Sequence, residues 1–440
     1  MSGCATVRFL RSSSLRRTLT TVIIAVGSSI VLALAGCANP GGIESAAKLA
    51  TPASLGAAAE PVALVPTEWW RAFGDPVLVG LIERATAGSP TLRVAAARSA
   101  RSAANVDAAH AAKGPQLGLG VDVTRQHFTE NGIYPKPIAG SNRDIATAQL
   151  NGSWELDFFG RNRAQLDAAI GTSRAAAADA AAARVLLAVN VTRNYVQLAR
   201  LLEQREILER TLGQRQEILS LIRQRVGAGL DTAVEQRQGE GALPETRQQI
   251  ESIDEQIALV RHALAALLAE PPDRFDALAP RLSSLRAVEV PEVVPADLVG
   301  RRADIVAARW RVEAASGDVA AARAQFYPNV NLSAFVGLSS LGLDRLLRSG
   351  SAQYGAGPAI RLPIFDAGRL RAGLRGRSAD LDVAVESYNA TLVDAIHDVA
   401  DQMSSVRSVE RQWREQQAAA RSAESAYDLS TQRYKAGLGT

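Results

Sequence analysis

The sequence is poor in the residues that most often carry chemistry. Its 440 residues include two cysteines and four histidines, and aromatic residues make up 5%. Two cysteines are too few for a disulfide framework or a structural zinc cluster. The sequence contains no Gly-x-x-x-x-Gly-Lys-Ser/Thr phosphate loop, no Gly-x-Ser-x-Gly nucleophile motif and no His-Glu-x-x-His zinc motif. These absences predict a protein that is not an enzyme and that uses no metal and no cofactor.

What the sequence does contain is mainly alanine, leucine and valine, which dominate a hydrophobic fraction of 47%. Alanine and leucine mixed with arginine, glutamate and glutamine are typical of long packed helices. A hydrophobic fraction near one half excludes a disordered chain. The formal net charge is +4, and part of it comes from arginines in the first 17 residues. Nucleic acid is therefore not an expected partner.

The first 36 residues are predicted to be a signal peptide. Four arginines between residues 8 and 17 precede an apolar run over residues 19–35, which is the order of a secretory signal. The run ends in the letters LAGC, which resemble the lipid-attachment motif of bacterial lipoproteins and imply a diacylglycerol and an N-acyl chain on Cys37. Ala38, in place of aspartate, favours an outer-membrane location, lipid-anchored and extending into the periplasm. An uncleaved membrane helix is the alternative.

The rest of the chain contains a duplication. Residues 37–66, rich in Ala, Gly, Pro and Ser, predict a flexible lipid tether. After it, Pro115 and Pro328, which end two alanine-rich stretches, are 213 residues apart, and the glycines Gly229 and Gly437 are 208 apart. A nearly constant offset indicates two copies of one unit. We expect repeat 1 over 67–270, a connecting segment over 271–295 and repeat 2 over 296–440.

Each repeat is predicted to hold one β-hairpin. In residues 116–125 apolar side chains at odd positions alternate with polar side chains or glycine, and residues 147–158 alternate in the same way. The second repeat alternates more loosely, around residues 329–333 and 353–364. Segments of about ten residues with period two are typical of transmembrane barrel strands. An ordinary half-buried sheet is the alternative.

Four strands cannot close a barrel. In a bilayer each open edge leaves backbone groups unpaired, at several kcal/mol for each group. The hairpins are therefore expected to pair across copies of the chain. Three copies would supply twelve strands, enough for a water-filled lumen, although the strand pattern alone does not set the number of copies.

Two helices are predicted to be unusually long. No proline occurs between residues 160 and 226, which corresponds to about 100 Å of helix. Leucines and valines recur there in steps of three and four, the spacing of a coiled coil. A return helix is predicted from about 232 to 268, and a second long helix over 367–436. Such helices suit a tube that crosses the periplasm or, alternatively, a soluble coiled-coil scaffold.

Five short motifs are similar to those of one family. They are WWRAFGDPVL at 69–78, WELDFFGR at 154–161, VPADLVGRRADI at 294–305, FYP at 326–328 and LPIFDAGR at 362–369. In this order and spacing they resemble the outer-membrane factor family, the TolC-like and OprM-like ducts of tripartite efflux pumps and type I secretion. Ala303 stands where the family usually has proline, a change that we expect to leave the fold unaltered.

The resemblance implies a fold and a function. The fold is then mixed α and β, with four strands per chain in a trimeric transmembrane β-barrel, a long α-helical coiled-coil barrel in the periplasm and two internal repeats. The implied function is a passive outer-membrane channel that exports small toxic compounds. Its implied partners are a periplasmic adaptor and an inner-membrane pump of the resistance-nodulation-division type. A duct for type I protein secretion and a non-conducting periplasmic scaffold are the alternatives.

The resemblance also implies a gate at the turns that end the long helices. The aromatic residue before the second turn is Tyr434, and acidic residues at the first turn are Asp231 and Glu235. Helix capping by Asp231 and packing by Tyr434 are equally open as structural roles. A basic gate residue of some relatives falls on Gly439, which argues against an ion-pair lock of the type those relatives have.

The same turns are the implied docking place of the adaptor. Gly227, Gly229 and Gly437 are expected to adopt positive φ there. The second repeat stops at Thr440, the position equivalent to Thr232, so the sequence given does not include a return helix for the second long helix. We expect a duct built without that helix to lack part of its wall.

Overall fold

The computed structural model describes residues 41–55, 68–287 and 300–438. The predicted signal peptide, Cys37 and Gly439 lie outside these residues. The chain forms two compact units, and each draws on both predicted repeats. The sheet unit contains the described residues of Met1–Lys48, with Ser102–Ser173 and Arg309–Ser387; the helical unit contains those of Leu49–Arg101, Arg174–Ala308 and Tyr388–Thr440.

Within the described residues, helix, β-hairpin and long helix follow one another twice. The α-helices are α1 (Pro76–Gly88), α2 (Pro90–Ala111), α3 (Arg161–Gly227), α4 (Ala233–Leu268), α5 (Ala303–Ala324) and α6 (Arg369–Lys435). The strands are β1 (Gln116–His127), β2 (Asn142–Leu156), β3 (Asn329–Leu341) and β4 (Ala352–Arg361). Single turns of 3-10 helix lie at Pro52–Leu55, Trp69–Phe73, Pro272–Phe275, Leu282–Ser284 and Leu343–Arg345.

The four strands form one antiparallel sheet in the order β1-β2-β3-β4. Pairing of β2 with β3 joins the hairpin of the first repeat to that of the second. One cross-strand row consists of Leu119, Leu150, Val336 and Tyr354, and the adjacent row on the opposite face of Gly120, Gln149, Gly337 and Gln353. Because side chains alternate between faces, this register separates an apolar face from a polar one.

Strand β2 ends two residues before its predicted end at Phe158. The carboxylate of Asp157 accepts hydrogen bonds from the backbone N–H groups of Asn162 (3.2 Å) and Arg163 (2.8 Å), and so caps the start of α3. Gly160, with φ of 76°, completes the reversal from strand to helix. The alternating pattern could not show this, because Phe158 continues it while the backbone has already turned.

The long helices agree with the predicted bounds to within two residues. Helix α3 pairs with α4 in the helical unit, where Arg205 contacts Asp254 at 2.5 Å and Arg223 contacts Glu240 at 3.2 Å. The partner numbers fall as the numbers on α3 rise, so the two helices run antiparallel. Helix α5 begins at Ala303, and the exchange of proline for alanine has left this helix start in place.

The core of the helical unit is built around a buried aspartate. Asp75 caps α1 by accepting a hydrogen bond from the N–H of Val77 at 2.8 Å. Its second oxygen accepts one from the Tyr195 hydroxyl at 2.8 Å and one from the Ser284 hydroxyl at 3.0 Å. Its partner Tyr195 belongs to a hydrophobic core that also contains the fully buried Leu198. This network gives a structural reason for the aspartate in the motif at 69–78.

Hydrogen bonding sets the charge of that aspartate. Burial by itself raises the pKa of Asp75, but the hydrogen bonds from Tyr195, Ser284 and two backbone N–H groups lower it below 3.8. Burial, and next the bond to Asp75, raise the pKa of Tyr195. Asp75 is therefore an ionised carboxylate and Tyr195 a neutral donor, which is the pairing that the geometry requires.

The segment where a flexible tether is predicted is partly docked on the sheet unit. Ile43 is buried against Phe326 and Leu370. Asp382 accepts hydrogen bonds from the Ser45 hydroxyl at 2.5 Å and from the backbone N–H groups of residues 46 and 47 at 3.0 Å. We call residues 43–47 the strap. Flexibility from composition is a property of an isolated peptide, and these contacts remove it here.

Candidate functional site

The apolar face of the sheet is exposed to a degree unusual for a water-soluble protein. Leu117 and Leu119 on β1 are 75% and 74% exposed, and Tyr354 on β4 is 83% exposed. They belong to the same face as Leu150 and Val336. A contiguous apolar surface of this kind marks contact with a membrane or with another protein.

Both outer strands of the sheet have a free edge. Within the described residues β1 pairs only with β2, and β4 pairs only with β3. Their outward N–H and C=O groups therefore have no strand partner from the same chain. Charge or proline often protects such edges. Strand β4 contains Pro358, whereas β1 contains no proline and has leucine and valine on its apolar face. The sheet is an incomplete structure that other strands can extend.

A second site lies at the turn between α3 and α4, in the helical unit. Gly229 has φ of 73°, which a residue with a side chain would adopt only under strain. Thr232 caps α4, and Glu235 closes the capping box by accepting a hydrogen bond from the Thr232 N–H at 3.0 Å. The Thr232 hydroxyl also contacts the Glu235 carboxylate. Glu235 therefore serves the start of a helix.

Asp231, Tyr434 and Arg225 meet at this turn. The Arg225 guanidinium makes two hydrogen bonds to the Asp231 carboxylate, at 2.9 and 3.1 Å. The Tyr434 hydroxyl donates to the same carboxylate at 3.1 Å, and the Arg225 guanidinium lies 4.6 Å from the centre of the Tyr434 ring. We call these three residues the turn cluster. It links the end of α3 to α6, two segments about 200 residues apart in sequence.

The turn cluster keeps its charges at neutral pH. The hydrogen bonds from Arg225 lower the pKa of Asp231 below 3.8, and the bond from Tyr434 adds to this. Desolvation, and then the bond to Asp231, raise the pKa of Tyr434. A bidentate arginine–carboxylate pair has a fixed geometry, so Asp231 is held as an acceptor for the tyrosine. Asp231 does not cap α4, because Thr232 occupies that role.

The second turn is built differently. Arg433, which is equivalent to Arg225, donates a hydrogen bond to the carbonyl oxygen of Leu438 at 3.4 Å. Gly437 has φ of 74°, as predicted. The prediction of positive φ is wrong for Gly227, which is the last residue of α3 and continues its helical backbone. That turn needs only one residue with positive φ, and Gly229 supplies it.

Arg225 was not among the site residues predicted from the sequence. Because Gly439 occupies the position of the basic gate residue of some relatives, no ion pair was expected. The structure nevertheless has an ion pair, in which Arg225, before the first turn, contacts Asp231. Arg225 and Asp231 flank the glycine turn six residues apart, and this spacing was the available signal. Glu235 lies beside the turn cluster without joining its hydrogen bonds. Among the residues that the structure covers, no group of three or more His, Cys, Asp or Glu is placed to hold a metal ion.

Comparison with known proteins assigns the sheet and the long helices to one family. The sequence matches the family described as "Outer membrane efflux protein" over residues 81–270 and 294–440. Among solved structures, the outer membrane protein VceC of Vibrio cholerae superposes with a TM-score of 0.80 at 36% identity, over 85% of this chain and 90% of VceC. The mixed fold of four strands and long helices is thus that of outer-membrane channels, as predicted.

Two named relatives support the same family assignment. The chain is 37% identical to the fusaric acid resistance protein FusA of Burkholderia cepacia, over 84% of this chain and 71% of FusA. It is 31% identical to the multidrug resistance outer membrane protein MdtQ of Escherichia coli, over 93% of this chain and 88% of MdtQ. These matches confirm the resemblance drawn from the motifs and the prediction of a protein that is not an enzyme. The chain therefore belongs to the outer membrane efflux protein family, a family of transport channels in the bacterial outer membrane.

Proposed function

We propose that the chain is the outer-membrane channel subunit of a tripartite efflux pump, a passive duct for small toxic compounds. One observation carries the proposal. A single sheet presents leucine, valine and tyrosine on one face and glutamine, asparagine and glycine on the other, with both edges free. In a closed transmembrane barrel the first face contacts lipid and the second faces water.

Closing the edges requires more than one copy of the chain. In the proposed oligomer the free edge of β4 in one copy pairs with β1 of the next, so that no open edge remains in the bilayer. Three copies give twelve strands, and a barrel of that size has a water-filled interior. We therefore propose a homotrimer. The long antiparallel helices of each copy then supply the periplasmic wall.

The names of the relatives support the class of substrate. FusA is named for resistance to fusaric acid and MdtQ for multidrug resistance. Because the chain has no phosphate loop with which to use ATP, the driving force must come from outside it. We propose an inner-membrane pump of the resistance-nodulation-division type, joined to the channel by a periplasmic adaptor that docks beside Gly227, Gly229 and Gly437.

A lipid on Cys37 would anchor the chain next to the barrel. The strap docks Ile43 against Phe326 and Leu370, and these two residues lie within about ten residues of the ends of β3 and β4. Ile43 lies six positions after Cys37, and a fully extended chain of that length spans at most about 20 Å. The strap thus limits how far the proposed acyl chains can lie from the strand ends that meet the inner face of the bilayer.

The turn cluster is the proposed gate. Asp231 and Tyr434 occupy the gate positions implied by the resemblance, and Arg225 supplies the positive charge that Gly439 lacks. Opening requires α6 to separate from the α3–α4 turn, which breaks the Tyr434–Asp231 hydrogen bond and removes Arg225 from the tyrosine ring. Glu235 contributes by holding Thr232, the neighbour of Asp231, in the capping box.

Single-channel recording tests the proposal. Purified protein is reconstituted into planar bilayers, and its folded state is checked by size-exclusion chromatography. The proposal predicts discrete conductance steps from oligomers, with longer openings for Tyr434→Phe. Folded protein that inserts but conducts no ions would instead indicate a scaffold, and this result would overturn the proposal.

A further inference from the structure

A cavity of about 260 Å³ lies in the sheet unit where the strands meet the helices. Its lining includes three arginines, Arg161, Arg361 and Arg369, together with the aromatic residues Phe159 and Tyr327. The cavity is far from the turn cluster in sequence, and nothing in the proposed duct function assigns it a role. Its chemistry is unusual for this chain because it combines unpaired positive charge with stacked rings.

The carboxylates beside the cavity are already committed. Glu155 accepts a hydrogen bond from Arg161 at 3.0 Å. Asp157 accepts from the backbone N–H groups at the start of α3. Arg361 and Arg369 have no hydrogen-bond or ion-pair partner for their guanidinium groups within the described residues. Two free guanidinium groups in one cavity can bind an anion, and a carboxylate fits the planar fork of arginine.

The aromatic pair adds a requirement for a ring. Phe159 and Tyr327 stack with ring centres 4.9 Å apart and planes 9° from parallel. Both side chains are about half exposed, so a further aromatic ring can stack on the free face of the pair. An anion without a ring would use only the arginines.

The strand register shows on which face of the sheet the cavity lies. Arg361 pairs with Asn329, and Glu155 pairs with Asn331, so Arg361 and Glu155 both belong to the polar face. In the proposed barrel this face lines the water-filled interior. A solute in transit would therefore meet these side chains, whereas a lipid would contact the opposite face.

We infer that this cavity binds aromatic carboxylates, and that organic acids with a ring are a substrate class of the duct. The inference rests on the proposed function for its account of transit, but binding itself does not depend on conduction. Arg361 and Arg369 bind the carboxylate, and the Phe159–Tyr327 pair stacks on the ring. Arg161 stays paired with Glu155 and shapes the wall of the cavity.

Calorimetric titration of the reconstituted full chain tests the inference. The probe is 1-naphthoate, and 1-naphthamide serves as the neutral compound of the same shape. We expect the acid to bind and the amide not to bind. In the double variant Arg361→Gln, Arg369→Gln the affinity for the acid should fall about tenfold or more, because a charge-assisted contact is lost at each site. Phe159→Ala is expected to reduce the affinity for naphthoate to the level of acetate.

A matched control is available at the β3–β4 connection. Arg345 and Arg348 are exposed, pair with Asp344 and lie outside the cavity lining, so Arg345→Gln, Arg348→Gln removes the same charge and should bind naphthoate as the wild type does.

Equal affinity of the wild type and the Arg361, Arg369 variant would overturn the inference. So would equal binding of the amide, or loss of naphthoate binding when phosphatidylglycerol is added to phosphatidylcholine nanodiscs, which would identify a lipid headgroup site. Absence of conductance with intact naphthoate binding would count against the duct alone.

Discussion

The two units use the same kinds of residue in opposite ways. In the helical unit Leu78, Leu198 and Tyr195 are almost completely buried, and the tyrosine hydroxyl has a carboxylate partner. In the sheet unit Leu119 and Tyr354 are mostly exposed. In the helical unit, the core formed by α1, α3 and α4 is completed by the chain itself. The sheet unit exposes an apolar face and two unpaired edges, which lipid and strands of neighbouring copies would cover in the proposed barrel.

The largest effect is expected from a charge on the apolar face. Leu150→Arg places a guanidinium in the row formed by Leu119, Val336 and Tyr354, where a charge near the middle of a bilayer costs about 2–4 kcal/mol per subunit. We expect the variant to be lost from the outer-membrane fraction. Gln149→Arg, one residue away on the polar face, should assemble normally. Equal assembly of both variants would show that the two faces are not in different solvents.

The helical unit should respond instead to loss of an internal partner. Asp75→Ala removes the cap of α1 and leaves the Tyr195 hydroxyl buried without an acceptor, at a combined cost of about 2–4 kcal/mol. Denaturant unfolding followed by circular dichroism at the helix band measures this cost. Tyr195→Phe removes the hydroxyl donor, so that no buried hydroxyl is left without an acceptor. This substitution should cost about 1 kcal/mol. A larger effect of Tyr195→Phe than of Asp75→Ala would contradict the assigned network.

A second comparison, between the two turns, leads to a smaller effect. Arg225→Gln removes the bidentate pair that holds Asp231, whereas Arg433→Gln removes only one long hydrogen bond to a carbonyl oxygen. We expect Arg225→Gln to raise the open probability about tenfold, which corresponds to one charge-assisted interaction, and Arg433→Gln to leave it close to wild type. Single-channel recordings measure the open probability of both variants. An equal open probability in the two variants would show that the turn cluster is not part of the gate.

The pH dependence of the same cluster follows from the lowered pKa of Asp231. A carboxyl group whose pKa is depressed in the folded protein contributes stability above its unfolded value, here 3.8, and loses it as the pH falls through the depressed value. The gate contact is therefore constant between about pH 5 and pH 8 and weakens only below pH 3.8. Open probability recorded both above pH 5 and below pH 3.8 checks the direction of this pH dependence. A transition near neutral pH would require a different titrating group.

The smallest effect is expected at the strap. Asp382→Ala removes the acceptor of three hydrogen bonds from residues 45–47, and because the site is exposed, we expect only a small loss of stability. Limited proteolysis should then cut between residues 41 and 50 more readily, with conductance unchanged. Unchanged cleavage would show that Ile43 alone fixes the strap.

Much of this difference between units was predictable from sequence, because it rests on local periodicity. The alternation around Leu117 and Leu119 predicts the faces of β1 directly, since successive side chains of a strand point to opposite sides. The absence of proline and the glycines near 227 predict the length of α3. These signals concern neighbours in sequence, and their physical causes act within a few residues.

What sequence could not supply depends on distant partners. Asp75 and Ser284 are 209 residues apart, and Asp231 and Tyr434 are 203 apart. Nothing in a local pattern indicates which carboxylate a given hydroxyl will meet. The interleaving of both repeats in each unit has the same origin, because β2 pairs with β3 and not only with its hairpin neighbour. The docked strap likewise depends on Asp382, which lies on α6.

Fluorescence quenching at two adjacent positions of β1 most directly tests whether the apolar face contacts lipid. Val121→Cys and Asp122→Cys, each in a Cys4→Ser, Cys37→Ser background, are labelled with a small fluorophore in proteoliposomes. If the apolar face contacts lipid, a spin-labelled lipid quenches the label at position 121 and iodide does not, with the reverse at position 122. Strong quenching by iodide at both positions would mean that the sheet is surrounded by water, and the assignment as a membrane channel would be wrong for this chain.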